Sequence, residues 1–105
     1  MIINFDRGVV HIDNMRFCFY EVPNGSKDLQ PGHYSVEARY AHAFGKVLPF
    51  VADHGWIGDD ARCAIVLGKV RGRTNVAPHE HPVALLVERI EAAYDAGIPV
   101  LAEIG

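Results

Sequence analysis

The 105-residue sequence lacks the features that would place it at once in a specialised class of protein. No apolar run approaches the roughly 20 residues that a membrane-spanning helix needs. Two cysteines, Cys18 and Cys63, are too few for a disulfide scaffold, and a reducing compartment fits them best. Basic residues are not in excess, since the net charge is −3, which gives no support for a nucleic-acid or anionic-membrane partner.

Repeats, low-complexity tracts and linker-like segments are also missing, so we predict a single domain over residues 1–105. Asp6 falls where a signal peptide would have its apolar core, which predicts a protein that is cytoplasmic as synthesised. Half of the residues are hydrophobic and 22% are charged, as in ordinary globular domains.

The first half of the chain reads as strands. The runs GVVHI and RFCFYEV flank Asp13-Asn14, which suits the tight turn of a hairpin, with Phe17 and Cys18 on opposite faces of the second strand. HYSVEARY alternates as a half-buried strand, with Tyr34 and Val36 directed into the core. The next segment should add Phe44, Leu48 and Phe50 to that core. VLPFVA and AIVLG are predicted to be strands that are buried on both faces.

The second half contains the strongest helix signal, over residues 82–96. Apolar residues recur there at helical spacing, Pro82 suits the first turn, and Gly97 offers a stop. IPVLAEI then returns as a final strand. These elements predict an α+β fold: a β-rich, small, largely antiparallel sheet or barrel with one C-terminal helix.

The stretch HGWIGDDARCAIVLG contains the residues with the clearest catalytic potential. Cysteine is nucleophilic as a thiolate, so a histidine that accepts its proton is the minimum equipment. His54 and Cys63 lie nine positions apart across a glycine-containing and acid-rich turn, which allows two strand ends to bring them together. The alternative is that Cys63 is an inert core residue and His54 a polar turn residue.

Three segments of the chain, VHIDNMRFCFYEVP, LQPGHYSVEARYAHAFGKVLPFV and ARCAIVLG, resemble an uncharacterised family common in phages and prophages. The family's closing pattern, a His-containing turn and then Gly-Cys, is similar to the cysteine acyl-transfer site of L,D-transpeptidases. The resemblance covers roughly residues 9–104. It implies a reduced L,D-transpeptidase-like fold, with His54 as base, Cys63 as nucleophile and the backbone N–H groups around Ala64 and Ile65 as an oxyanion site.

The sequence departs from that pattern at the cysteine. When Gly68 is aligned with the family's closing glycine, Cys63 falls on the glycine position and Ala64 on the cysteine position. When Cys63 is aligned instead, Arg62 replaces the glycine and fills space that a substrate would need. Because a one-residue shift turns a side chain to the opposite face, either a bulge re-aims Cys63 or the nucleophile has been lost.

Two further segments, one basic and one with two histidines, contain candidate ligand-binding residues. Lys69, Arg71 and Arg73 alternate along an extended segment; they indicate either a charged sheet edge or a rim that binds carboxylates together with Arg62. His79 and His81 lie two apart and could share a metal if a distant third ligand existed, but a loop leading into the helix explains them as well. We therefore predict no metal and no cofactor.

Two functions of different classes remain open. The preferred one is a phage-type binding or assembly module that has lost or displaced its nucleophile, with a peptidoglycan peptide or a phage or host protein as partner. The alternative is a cysteine acyl-transfer enzyme, an L,D-transpeptidase or peptidase, that acts on peptidoglycan stem peptides. Either protein would be cytoplasmic as synthesised, with the virion or release at lysis as its further destinations.

Overall fold

The computed structural model describes residues 1–12, 15–23, 29–68 and 81–105, which form a closed eight-stranded barrel with one helix packed against it. The elements in chain order are β1 (Ile2–Asp6), β2 (Val9–Ile12), β3 (Met15–Glu21), β4 (Gly32–Ala41), β5 (Lys46–Val51), β6 (Gly55–Gly58), β7 (Ile65–Leu67), α1 (Pro82–Asp95) and β8 (Leu101–Ile104). The predicted β-rich fold with a C-terminal helix is confirmed.

The order of strands around the barrel is β1-β2-β3-β7-β6-β5-β4-β8, and β8 pairs with β1 to close it. Two of the pairs are parallel, β8 with β1 and β6 with β7, and the others are antiparallel. Strand β6 corrects the sequence prediction, which interpreted GWIG as part of a turn. Its two glycines are typical of turns, but Trp56 pairs with Phe50, and Ile57 pairs with Ile65.

Strand β1 was also missing from the prediction. It forms a hairpin with β2, and the two turn residues, Arg7 and Gly8, have positive φ values of 52° and 78°. Positive φ at both central residues is the signature of a type I′ turn, which matches the twist of the strands that it joins.

The hairpin of β2 and β3 is confirmed, although its Asp13-Asn14 turn lies outside the described residues. The prediction that Phe17 and Cys18 face opposite sides is wrong, because both are buried in the main core. The cause is an irregularity in the pairing: Val10 is opposite Cys18, but His11 is opposite Arg16. The extra residue on β3 is a β-bulge, which turns neighbouring side chains the same way.

The main core fills the barrel and continues under the helix. Val36 is fully buried in it and Tyr34 packs against it, as predicted. Its buried members are Ile3, Phe5, Val10, Ile12, Phe17, Cys18, Val36, Val51, Ile57, Ile65, Leu67, Leu86, Ile90, Ala93, Val100, Ala102 and Ile104.

A second cluster lies on the opposite face of β5. It consists of Ala41, Leu48 and Cys63, with Phe44, Trp56 and Val83 packed against them. Leu48 and Val51 are three positions apart on one strand and so point to opposite faces. Leu48 and Phe44 therefore belong to the second cluster rather than to the main core. Phe50 is only half-buried. Its ring packs against Trp56, and the guanidinium of Arg39 lies over it.

Helix α1 confirms the sequence prediction almost to the residue. Pro82 occupies its first turn, and Leu86 and Ile90 bring it onto the main core. The helix ends in a glycine motif: Gly97, at φ 74°, donates its N–H to the carbonyl of Tyr94, and Ile98 donates to that of Ala93. This pair of bonds satisfies carbonyls that the end of a helix leaves open.

The different burial of two phenylalanines gives a direct test of the core. Phe5→Ala should lower the free energy of unfolding by about 3–5 kcal/mol, because Phe5 is fully buried in the main core. Phe50→Ala removes the same atoms from a half-buried site and should cost clearly less. Urea unfolding of both variants checks this, and equal losses would contradict the assignment of the core.

Candidate functional site

The short connection between β5 and β6 positions His54. His54 donates its backbone N–H to the carbonyl of Val51 at 3.1 Å, and Ala52 donates to that of Ser35 at 2.9 Å. Asp53, between them, has a φ of 67°, a left-handed conformation that aspartate tolerates better than most side chains. The backbone of this turn is therefore tied to two strands on either side of the histidine.

The imidazole ring of His54 is held by Tyr34. Their ring centroids lie 4.4 Å apart in an edge-to-face arrangement, and the Tyr34 hydroxyl donates to the carbonyl of Gln30 at 3.0 Å. Nε2 of His54 is buried and has no hydrogen-bond partner in the described part of the chain. A buried polar atom without a partner costs roughly 1–3 kcal/mol, so this nitrogen lowers the stability of the turn.

The approach to β7 separates Cys63 from Ala64. Ala64 donates its backbone N–H to the carbonyl of Trp56 at 2.9 Å, which fixes this segment against β6. A Cβ placed on Gly55 would lie 3.4 Å from Cβ of Ala64, whereas a Cβ placed on Gly58 would lie 2.6 Å from Sγ of Cys63. The two neighbouring side chains thus lie against opposite ends of β6.

The thiol of Cys63 is enclosed in the second cluster. The residue is 1% exposed and packs with Leu48 and Ala41. Burial raises the pKa of the Cys63 thiol above its ordinary value, and the nearby charges of Asp60 and Asp59 add to that rise. Burial also raises the pKa of Cys18, to about 12. Neither thiol is activated as a nucleophile, because the thiolate is the reactive form.

A loop stabilised by Asp60 leads directly into Cys63, which donates its backbone N–H to the Asp60 carbonyl at 2.9 Å. The Asp60 carboxylate accepts the backbone N–H of Arg62 at 2.8 Å and two bonds from its guanidinium, at 3.1 and 2.9 Å. These hydrogen bonds lower the pKa of Asp60 to about 2. The guanidinium also lies 4.6 Å above the ring of Phe44, which joins the loop to the second cluster.

A cleft of about 330 Å³, which we call the His54 cleft, contains three of the residues that the sequence singled out: His54, Arg62 and Ala64. Cys63 does not line it. The residues of its wall are Leu29, Asp53, His54, Gly55, Trp56, Arg62 and Ala64. The cleft therefore combines a histidine, a carboxylate, a guanidinium and an indole, but no nucleophile faces it from the described residues.

A larger cleft of about 840 Å³ runs between α1 and β5, and neither His54 nor Cys63 lines it. Arg71, Arg73 and His79 lie outside the described residues, so their roles stay predictions. His81 directly precedes α1. Across the described ranges, no three His, Cys, Asp or Glu side chains are grouped as a metal site requires. No helix in those ranges has the length and apolar character needed to cross a bilayer.

Two contributors to the site, Trp56 and Gly58, escaped sequence reasoning, and Asp53 entered it only as a possible distant metal ligand. Asp53 directly precedes the histidine, and its αL tolerance was a usable signal. Trp56 and Gly58 were hidden in the segment interpreted as a turn. Only the pairing of β6 with its neighbours brings them to the site.

In comparisons with known proteins, no family model, curated protein or solved structure matches this chain.

The position of Cys63 predicts a strong energetic coupling with Gly58. Gly58→Ala should destabilise the protein, because its methyl group would overlap Sγ of Cys63 in a fully packed cluster. Cys63→Ala should remove most of that extra cost. We expect a coupling energy of about 1–3 kcal/mol in a double-mutant cycle measured by urea unfolding. Additive single effects would show that the thiol lies elsewhere.

Nε2 of His54, which has no hydrogen-bond partner among the described residues, predicts an unusual response to substitution. His54→Phe keeps a ring against Tyr34 and removes the buried polar atom, so the free energy of unfolding should rise by about 1 kcal/mol. His54→Ala, the matched control, loses the ring contact and should destabilise. Thermal and urea unfolding measure both variants, and a clear loss of stability in His54→Phe would count against an unsatisfied nitrogen.

Proposed function

We propose that this protein is a phage-type binding or assembly module on a reduced L,D-transpeptidase-like fold, whose nucleophile is displaced from its cleft. Its ligand would bind in the His54 cleft, and a peptidoglycan peptide or a phage or host protein is the partner class. The β-rich barrel and the His-containing turn between β5 and β6 are consistent with that origin. We also propose that the protein is synthesised in the cytoplasm.

The observation that carries this proposal is the division of two neighbouring residues between two environments. Ala64, which falls on the family's cysteine position when Gly68 is aligned with the closing glycine, lines the cleft with His54. Cys63 lies in the second cluster, and its raised pKa keeps it as a thiol. A methyl group cannot attack an acyl carbon, so the residues of the cleft support binding better than acyl transfer.

The alternative, a cysteine acyl-transfer enzyme, requires Cys63 to leave the second cluster and reach the cleft. That movement would expose the sulfur and empty its place between Gly58 and Leu48. It would also break the loop that Asp60 and Arg62 stabilise. We therefore keep this enzyme as the outcome that the following experiment would reveal.

Alkylation of the native protein by iodoacetamide, read by mass spectrometry of the separate cysteine peptides, tests the proposal. The matched variant is Cys63→Ala combined with Ala64→Cys, which places a thiol in the cleft. Cys63 of the unmodified protein should react more than about 100-fold slower than the introduced cysteine. An opening free energy of only about 3 kcal/mol gives that factor.

His54→Ala should leave the slow reaction of Cys63 unchanged, after correction for any loss of global stability measured by urea unfolding. Rapid alkylation of Cys63 in the native protein that depends on His54 would overturn the proposal. It would favour a cysteine acyl-transfer enzyme instead.

A further inference from the structure

We propose that the His54 cleft binds an organic cation, specifically a primary ammonium group carried on a short apolar chain. This inference rests on the proposed function, because it names the ligand class of the cleft that the binding module would use. It follows from the charges and the aromatic wall of that cleft.

The charges of the cleft leave one carboxylate uncommitted. Arg62 is the cationic residue of the wall, and both oxygens of Asp60 already engage its guanidinium. Asp53 is exposed in the same wall and has no ion pair within the described ranges. With Arg62 neutralised by its neighbour, the remaining formal charge of the wall is negative, which favours a cation over a carboxylate ligand.

The shape of the cleft suits an ammonium on an apolar chain. Trp56 lines the cleft, and its ring packs edge-to-face against the ring of Phe50 at a centroid distance of 4.9 Å. An indole face is the aromatic surface that attracts cations best. Leu29 and Ala64 add apolar surface for the carbon chain. A volume of about 330 Å³ suits one amino-acid side chain with its flanking peptide groups.

The hydrogen-bonding capacity of an ammonium group agrees with the charge of the wall. An ammonium group has three donors and no acceptor, so it can pair with the Asp53 carboxylate and still donate to another group. A carboxylate ligand can only accept hydrogen bonds, and it would meet Asp53 as a like charge.

The chain's only tryptophan, Trp56, gives a direct probe of this cleft. We would titrate the protein with Nα-acetyl-lysine amide and follow Trp56 fluorescence. Nα-acetyl-norleucine amide is the matched neutral ligand of almost the same shape, and acetate is the anion control. We expect a saturable change with the lysine derivative, weaker binding at high salt, and at least tenfold lower affinity for the norleucine derivative.

Asp53→Asn is the decisive variant, because asparagine tolerates the left-handed backbone and lacks the charge. It should weaken binding of the lysine derivative about tenfold, which corresponds to about 1.4 kcal/mol. The matched control is Asp59→Asn, which removes an aspartate that pairs with Lys46 outside the cleft and should leave binding unchanged. Nitrogen-15 NMR shifts at Gly55 and Ala64 would locate the ligand.

Equal binding of the neutral ligand, preferential binding of acetate, an unaffected Asp53→Asn variant or no saturable change would each overturn the inference. These failures differ from failure of the proposed function, which is read from alkylation of Cys63. An unreactive Cys63 with no cation binding would leave a binding module with another ligand. A reactive Cys63 would remove the module whatever the titration shows.

Discussion

The hydrogen bond from the backbone N–H of Ala64 to the carbonyl of Trp56 sets the geometry on which the site depends. It fixes the chain against β6 just before β7, where the two strands run parallel with Ile57 opposite Ile65. Cys63 and Ala64 form the bend that precedes β7, and their side chains lie in different environments. Ala64 lines the cleft, and Cys63 lies in the second cluster.

Strand β6 accommodates both side chains because it begins and ends with glycine. Gly58 leaves the space that the sulfur of Cys63 occupies, and Gly55 leaves space beside the methyl group of Ala64. The Asp60–Arg62 loop leads into Cys63, and Arg62 stacks on Phe44, which packs against the second cluster. The same loop therefore joins the second cluster and neutralises the cation of the neighbouring cleft. The chemistry of the cleft is left to Asp53, His54 and Trp56.

The sequence predicted those elements of the fold that have a strong local pattern and missed those that only strand pairing defines. Helix α1 has a sustained 3.6-residue period, a proline at its start and a glycine at its end, so its bounds followed from local chemistry. In VLPFVA every residue is apolar, so no alternation revealed that Leu48 and Val51 face different clusters. The GWIG strand was missed because glycine is a turn signal, and only its pairing with β5 and β7 makes it a strand.

At the candidate site, the sequence left open which of two neighbouring residues faces the cleft. Sequence reasoning brought His54, Arg62 and Ala64 to one region and identified the one-residue ambiguity at the cysteine. It could not resolve the ambiguity, because the register of β7 depends on a partner strand seven positions or more away in the chain. Closure of the barrel by β8 and β1 is a contact between the two ends of the chain, which no local pattern specifies.

A nuclear Overhauser measurement on the folded protein, with assigned side chains, shows directly which of the two neighbours lies in which environment. We expect contacts from the Cys63 β-protons to the Leu48 methyl groups and the Gly58 α-protons, and from the Ala64 methyl group to the Gly55 α-protons. Contacts between the Cys63 β-protons and the ring protons of His54, together with loss of the Leu48 contact, would contradict this placement.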